Sequence, residues 1–119
     1  MRYLLLIYGD ESHLSQWSPE ETRAELDAYA KYSAWLEEKG WLRAGDALQP
    51  TPTATTVRVR EGQLLTTDGP FAETKEQLGG YYLIECNDLD QAIEAAARLP
   101  AARGGSIEIR PISEVPSNR

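Results

Sequence analysis

Asp68-Gly69-Pro70-Phe71-Ala72-Glu73-Thr74-Lys75-Glu76-Gln77-Leu78-Gly79-Gly80 separates two strand-like stretches and decides how the second half of the chain is read. Asp68 before Gly69-Pro70 suits an Asx-type turn, in which a carboxylate accepts backbone N–H bonds and glycine supplies an unusual backbone angle. Upstream, Thr55 to Arg60 alternates with period two, Glu61-Gly62 turns the chain, and Leu64 to Thr67 returns, which predicts a hairpin. Downstream, Tyr81 to Cys86 reads as a further strand. Gly79-Gly80 directly before it implies close approach of its backbone to another segment or to a ligand.

Working outward, the near-continuous apolar run Tyr3 to Tyr8 predicts a central strand buried on both faces. Ser18-Pro19-Glu20-Glu21 combines an N-cap serine, a proline at the first helical position and a capping-box glutamate. The helix it starts ends near Gly40, with Leu26, Tyr29, Ser33 and Leu36 on its inward stripe. Gly45-Asp46 and the prolines at 50 and 52 read as an irregular connection. Asp88-Leu89-Asp90-Gln91 caps a second helix, whose stripe is Leu89, Ala92, Ile93, Ala96 and Leu99 and which stops at Pro100. Ile107 to Arg110 alternates as the last strand. Residues 113–119 read as a frayed tail after a domain spanning 1–112.

The order strand, helix, strand pair, strand, helix, strand is the split βαβ pattern of a ferredoxin-like α+β sandwich. Two helices cover only one face of such a sheet. Residues of the first strand and of the Tyr81–Cys86 strand stay uncovered on the other, which predicts a homodimer with sheet packed against sheet.

With 119 residues the chain is long enough for one domain with a single core. Its 19 acidic and 12 basic residues, net charge -7, oppose direct binding of nucleic acid, which needs clustered cations. No window reaches the roughly 18 apolar residues that a membrane helix requires, so no membrane partner is expected. The lone Cys86 sits in an apolar run as a small hydrophobe, consistent with a reducing, cytoplasmic setting. One histidine and one cysteine make no zinc site, and neither metal nor cofactor is expected.

The signature from Asp68 to Gly80 resembles that of the YCII-related family in its DGPF branch, and the resemblance runs from Met1 to about Pro111. It implies a dimeric α/β-barrel type of assembly. It also implies a small, metal-independent lyase-like or isomerase-like enzyme acting by acid–base chemistry on a small polar or cyclic compound, since relatives of this fold include a dehydrochlorinase and resemble muconolactone isomerases. Shorter members carry a first-helix histidine that works with an aspartate in a cleft. Counting back from Gly40-Trp41-Leu42-Arg43-Ala44-Gly45, the matching position is Tyr29, so that pair is not intact. A second implication is a ligand-sensing or protein-binding regulatory module, because DGPF-type proteins are frequently encoded beside extracytoplasmic-function sigma factors.

Under the enzyme reading, the cleft lies between the first helix, the Asp46 loop and the signature loop. Asp68 is the base, Tyr29 a hydrogen-bond donor, Lys75 the anchor for substrate charge and Glu76 a second proton-moving group. Each has a plainer alternative. Asp68 builds the turn, Tyr29 belongs to the core, and Glu73, Lys75 and Glu76 form a solvated cluster. Gly69, Pro70, Gly79 and Gly80 shape the motif, and Phe71 anchors it in the core or in a partner chain. His13 reads as an exposed loop residue that retains acid–base capacity.

Overall fold

A computed structural model describes residues 1–114. Its core is a four-stranded antiparallel sheet with strand order β2-β5-β1-β6, built from β1 (Arg2–Gly9), β2 (Leu42–Ala47), β5 (Gln77–Glu85) and β6 (Ser106–Pro111). The helices α1 (Pro19–Lys39) and α2 (Leu89–Ala97) connect β1 to β2 and β5 to β6. This is the split βαβ order. The hairpin β3 (Thr55–Arg60) and β4 (Gln63–Asp68) pairs with itself and forms a separate two-stranded sheet.

The hairpin is therefore where expected but is not the strand pair of the central sheet. Leu42–Ala47, expected as irregular connection, supplies the missing edge strand. Its residues Arg43, Ala44, Gly45 and Asp46 carry no strand signature, because an edge strand exposed along most of its length needs neither alternation nor β-branched side chains.

Both helices start as their sequences dictate. Ser18 Oγ accepts from Glu21 N–H at 3.1 Å while Glu21 accepts from Ser18 N–H at 3.2 Å, and Asp88 caps α2 by accepting from Gln91 N–H at 3.0 Å. Gly40 ends α1 in the left-handed conformation, φ 75°. The core lies between the helices and one sheet face. It contains Tyr3, Leu5, Ile84, Tyr32, Leu36, Ala92, Ala95, Ala96, Leu99 and Cys86.

The stripes shift relative to the sequence reading. Leu26 is 66% exposed, and Tyr32 takes the inward position, its phenol donating to the Ala95 carbonyl at 2.7 Å. Leu89 and Ile93 face outward while Ala95 is buried, so α2 meets the sheet through alanines that permit close approach. β1 is central but is fully covered on one face only. Tyr3 and Leu5 are buried, whereas Leu4 and Leu6 between them are half-buried on the open face.

Ile112 N–H bonds to the Arg2 carbonyl at 2.9 Å and Glu114 pairs with Arg2 at 3.0 Å, so the chain is held to the sheet edge as far as Glu114. The remainder of the expected tail, 115–119, lies outside the described residues. Among those described, no helix is long and apolar enough to cross a membrane.

Candidate functional site

At the end of the sheet where β1 and β2 finish and β5 begins, a cleft of about 590 Å³ opens between the sheet and the N-terminal half of α1. That volume is in the range that holds a small molecule. The 3-10 turn Glu11–Gln16 borders it on one side and the 3-10 turn Pro100–Arg103 on another.

Small residues open the sheet side of the cleft. A Cβ on Gly45 would stand 2.7 Å from the Tyr82 ring, so the missing side chain is what lets that ring lie across β2. Tyr82 is further held by a 2.9 Å hydrogen bond between its hydroxyl and Ser33 and by an edge-on contact with Tyr32 at 5.2 Å. A Cβ on Gly80 would stand 2.9 Å from the Asp46 carbonyl oxygen, so the close approach expected of this glycine is to a neighbouring strand.

Three groups bring chemistry into the cleft. Tyr29 projects half-buried from α1, and its phenol is pushed up to about 12, first by burial and then by the charge of Glu25 and by Tyr82, with the Ala101 backbone acting in the opposite sense. It stays protonated, and so able to donate, throughout the neutral range. Glu25, one helical turn before Tyr29, is half-buried and has no hydrogen-bond or ion-pair partner among the described residues. His13 lies 3.7 Å from Asp10, whose carboxyl is held below its usual value by the hydroxyl and backbone N–H of Ser12.

The cleft's entrance is stapled. Glu11 accepts from both the backbone N–H and the hydroxyl of Thr51, its own N–H donates to Gln77 at 3.0 Å, and Gln77 donates onward to the Thr74 carbonyl at 2.6 Å. These bonds join the loops after β1, after β2 and before β5 into one unit. The turn carrying His13 is thereby fixed against the sheet.

The signature loop stands apart. Asp68 ends β4 and is exposed, and its carboxylate accepts no hydrogen bond among the described residues; the turn is closed instead by Gly69 N–H to the Ala54 carbonyl at 2.7 Å and by Thr56 Oγ1 to the Gly69 carbonyl at 2.9 Å. Gly69 has φ 100°, the kind of backbone angle expected of the glycine in this turn. Pro70 and Glu73 line a shallow depression of about 350 Å³ with Thr51 and Gln77, Lys75 is exposed, and Glu76 accepts from Ser106 Oγ at 2.7 Å, tying the loop to β6. Phe71 is 76% exposed beneath Arg58 at 5.4 Å, so it does not anchor the core of its own chain.

Asp46 divides between two faces. It is among the residues lining the cleft, while its carboxylate accepts from the Tyr81 hydroxyl at 2.7 Å, and the register pairing Asp46 with Tyr81 sends both side chains to the open face. Of the candidate residues, then, Tyr29, Asp46, Gly79 and Gly80 line the cleft, and Asp68, Gly69, Pro70, Phe71, Glu73, Lys75 and Glu76 do not. Helical periodicity reads Glu25 as a charge that can stay in water and strand pattern reads Tyr82 as an ordinary strand residue, so neither is marked as a cleft residue. His13 carried one usable signal, its place four residues beyond the end of a central strand.

Among the described residues no three His, Cys, Asp or Glu side chains gather as a metal site. Cys86 is buried and unpaired, with its thiol pushed up by burial, which suits packing and not nucleophilic work.

An antiparallel split βαβ sheet, two helices on one face, a hairpin inserted before the third strand of that sheet and a cleft at the sheet's end define a small α+β protein of ferredoxin-like topology. The chain belongs to the YCII-related family, whose domain description matches residues 1–116. It is 43% identical over 115 residues to an uncharacterised protein of Rhizobium meliloti (strain 1021), covering 95% of this chain and 93% of that one. Among solved structures it is similar to the 5-chloro-2-hydroxyhydroquinone dehydrochlorinase TftG of Burkholderia phenoliruptrix AC1100 in complex with 2,5-dihydroxybenzoquinone, with 15% identity, a TM-score of 0.48 and coverage of 95% and 94% of the two chains.

Proposed function

We propose that the cleft beside Tyr29 binds a small cyclic compound and carries lyase-like or isomerase-like proton transfer on it. The observation that carries this reading is that a phenol held protonated through the neutral range and a His13–Asp10 pair line one cavity of about 590 Å³. His13, oriented by Asp10, takes a proton from the substrate and returns it, while Tyr29 donates a hydrogen bond to the oxygen on which charge develops. Asp68 and Lys75 lie outside this cleft, so in this reading they shape the loop.

The test is a chemical-shift titration of the labelled protein with small hydroxylated ring compounds. Shifts should concentrate at His13, Trp17, Tyr29 and Gly80, and His13→Asn should abolish turnover of any compound that reacts while binding persists. Shifts centred on Asp68 to Lys75 would instead transfer the site to the signature loop.

A homodimer is the second part of this reading. The open sheet face presents Leu4, Leu6, Tyr81 and Leu83, and the projecting hairpin exposes Val57, Val59 and Leu64 at 57%, 60% and 68%, two apolar surfaces that a second copy packed sheet to sheet would cover in a dimeric barrel. A reducing, cytoplasmic setting accords with the single buried thiol.

A further inference from the structure

We infer that the ligand class selected by the cleft is cationic: a protonated amine carried on a small apolar or aromatic ring, with Glu25 as its counter-charge. This rests on the reading of the cleft as the binding site and adds the sign of the ligand's charge. Among the described residues, those lining the cleft include Asp10, Glu11, Glu25 and Asp46 but no lysine or arginine.

The carboxylates are not equivalent. Asp10 is occupied by Ser12, Glu11 by Thr51, and Asp46 by Tyr81 on the opposite face. Glu25 alone is half-buried in the cleft wall without a partner among the described residues, and its charge already bears on the adjacent Tyr29 phenol. A carboxylate in a partly water-excluded cleft wall with no partner of its own attracts a ligand cation placed beside it more strongly than one in open water.

The walls suit the rest of such a molecule. Trp17, Tyr29 and Tyr82 offer aromatic surface, and Leu14 and Leu26, 51% and 66% exposed, flank the opening. Ammonium groups are favoured over aromatic faces, and the hydrocarbon body fills the apolar remainder. An anionic ligand meets the reverse. It would enter a groove lined by carboxylates with no lysine or arginine among the described residues to neutralise it, since Lys75 does not line the cleft.

The experiment compares three probes that share one ring, phenethylamine, phenethyl alcohol and phenylacetate, titrated calorimetrically into the whole chain with chemical shifts reporting where each binds. Phenethylamine should bind about fivefold or more tightly than the alcohol, the upper end of what an exposed charge pair supplies, and phenylacetate most weakly. Added salt should narrow the gap. Glu25→Gln should bring the amine and alcohol to equal affinity without weakening the alcohol, and Glu25→Lys should turn the order in favour of phenylacetate. The inference is overturned if phenylacetate matches the amine, or if the amine keeps its advantage in Glu25→Gln. Binding of the alcohol in the cleft with no preference for the amine would overturn the charge assignment and leave the site standing. No shift at cleft residues with any probe would remove both.

Discussion

Tyr29 sits where α1 passes from core to cleft, and its phenol is half-buried next to a carboxylate. Burial and the neighbouring charge disfavour the phenolate, so the folded state holds this proton above the ordinary tyrosine value near 10 and up to about 12. A raised value of this kind contributes stability that is fully present below about pH 10 and is lost as pH rises through about 12. Tyr32 shifts in the same direction for the same leading reason, burial. Tyr29→Phe should therefore flatten, without abolishing, the fall in unfolding free energy between pH 10 and 12, as followed by denaturant titrations at stepped pH. A variant with an unchanged alkaline slope would show that the phenol is more open to water than its position implies. Helical spacing places Tyr29 on the inward stripe of α1 and the family resemblance marks it as a cleft position, but neither points to the groups that condition it. Glu25 is one turn away on the same helix and reads as an ordinary solvent-facing charge until the cleft is seen.

At the scale of elements, the pattern was most informative where burial imposes it. Tyr3–Tyr8 and the capped starts of α1 and α2 stood out because cores and caps demand specific residues. β2 escaped because an exposed edge strand places almost no demand on side chains, and its register is set by the partner strand β5. The glycine pair shows how position within an element separates like residues. A Cβ on Gly80 would meet the Asp46 carbonyl oxygen at 2.9 Å and the Ala47 Cα at 3.4 Å, both backbone atoms of β2, whereas on Gly79 the nearest atom is the Ile7 carbonyl oxygen at an ordinary 3.9 Å. Gly80→Ala should push β2 away from β5 and cost about 1–3 kcal/mol, the usual penalty for overpacking. Gly79→Ala should stay within about 0.5 kcal/mol of the parent, as surface changes do. Urea denaturation of both variants decides this, and equal costs would mean that β2 yields freely.

The whole molecule is flatter and wider than its length predicts. Its extents are 48 × 44 × 18 Å and its radius of gyration is 16.5 Å, against about 13.5 Å for a compact chain of this size. Two features account for the excess: a sheet with helices on one face only, and a hairpin that pairs with nothing but itself. An isolated two-stranded hairpin is marginal in water, and an uncovered sheet face carrying leucines is costly, so both gain from the same cover. The cover cannot come from α1 or α2, which are committed to the opposite face. The proposed homodimer would meet the need, and a standard interface of about 800 Å² per partner is within reach of a face this broad. Leu83 lies near the middle of β5 on the open face, paired across to Leu4. Leu83→Glu should convert a dimer to a monomer in sedimentation velocity while circular dichroism keeps the parent's secondary structure, because the substitution leaves the Tyr3, Leu5 and Ile84 layer untouched. A parent protein that sediments as a monomer, or a Leu83→Glu variant that stays dimeric, would rule out the open face as the joint between copies. Cleft binding measured on the same monomeric variant then carries a second meaning. Since His13, Glu25 and Tyr29 all come from one chain, affinity should survive dissociation, and its loss would show that the partner completes the site.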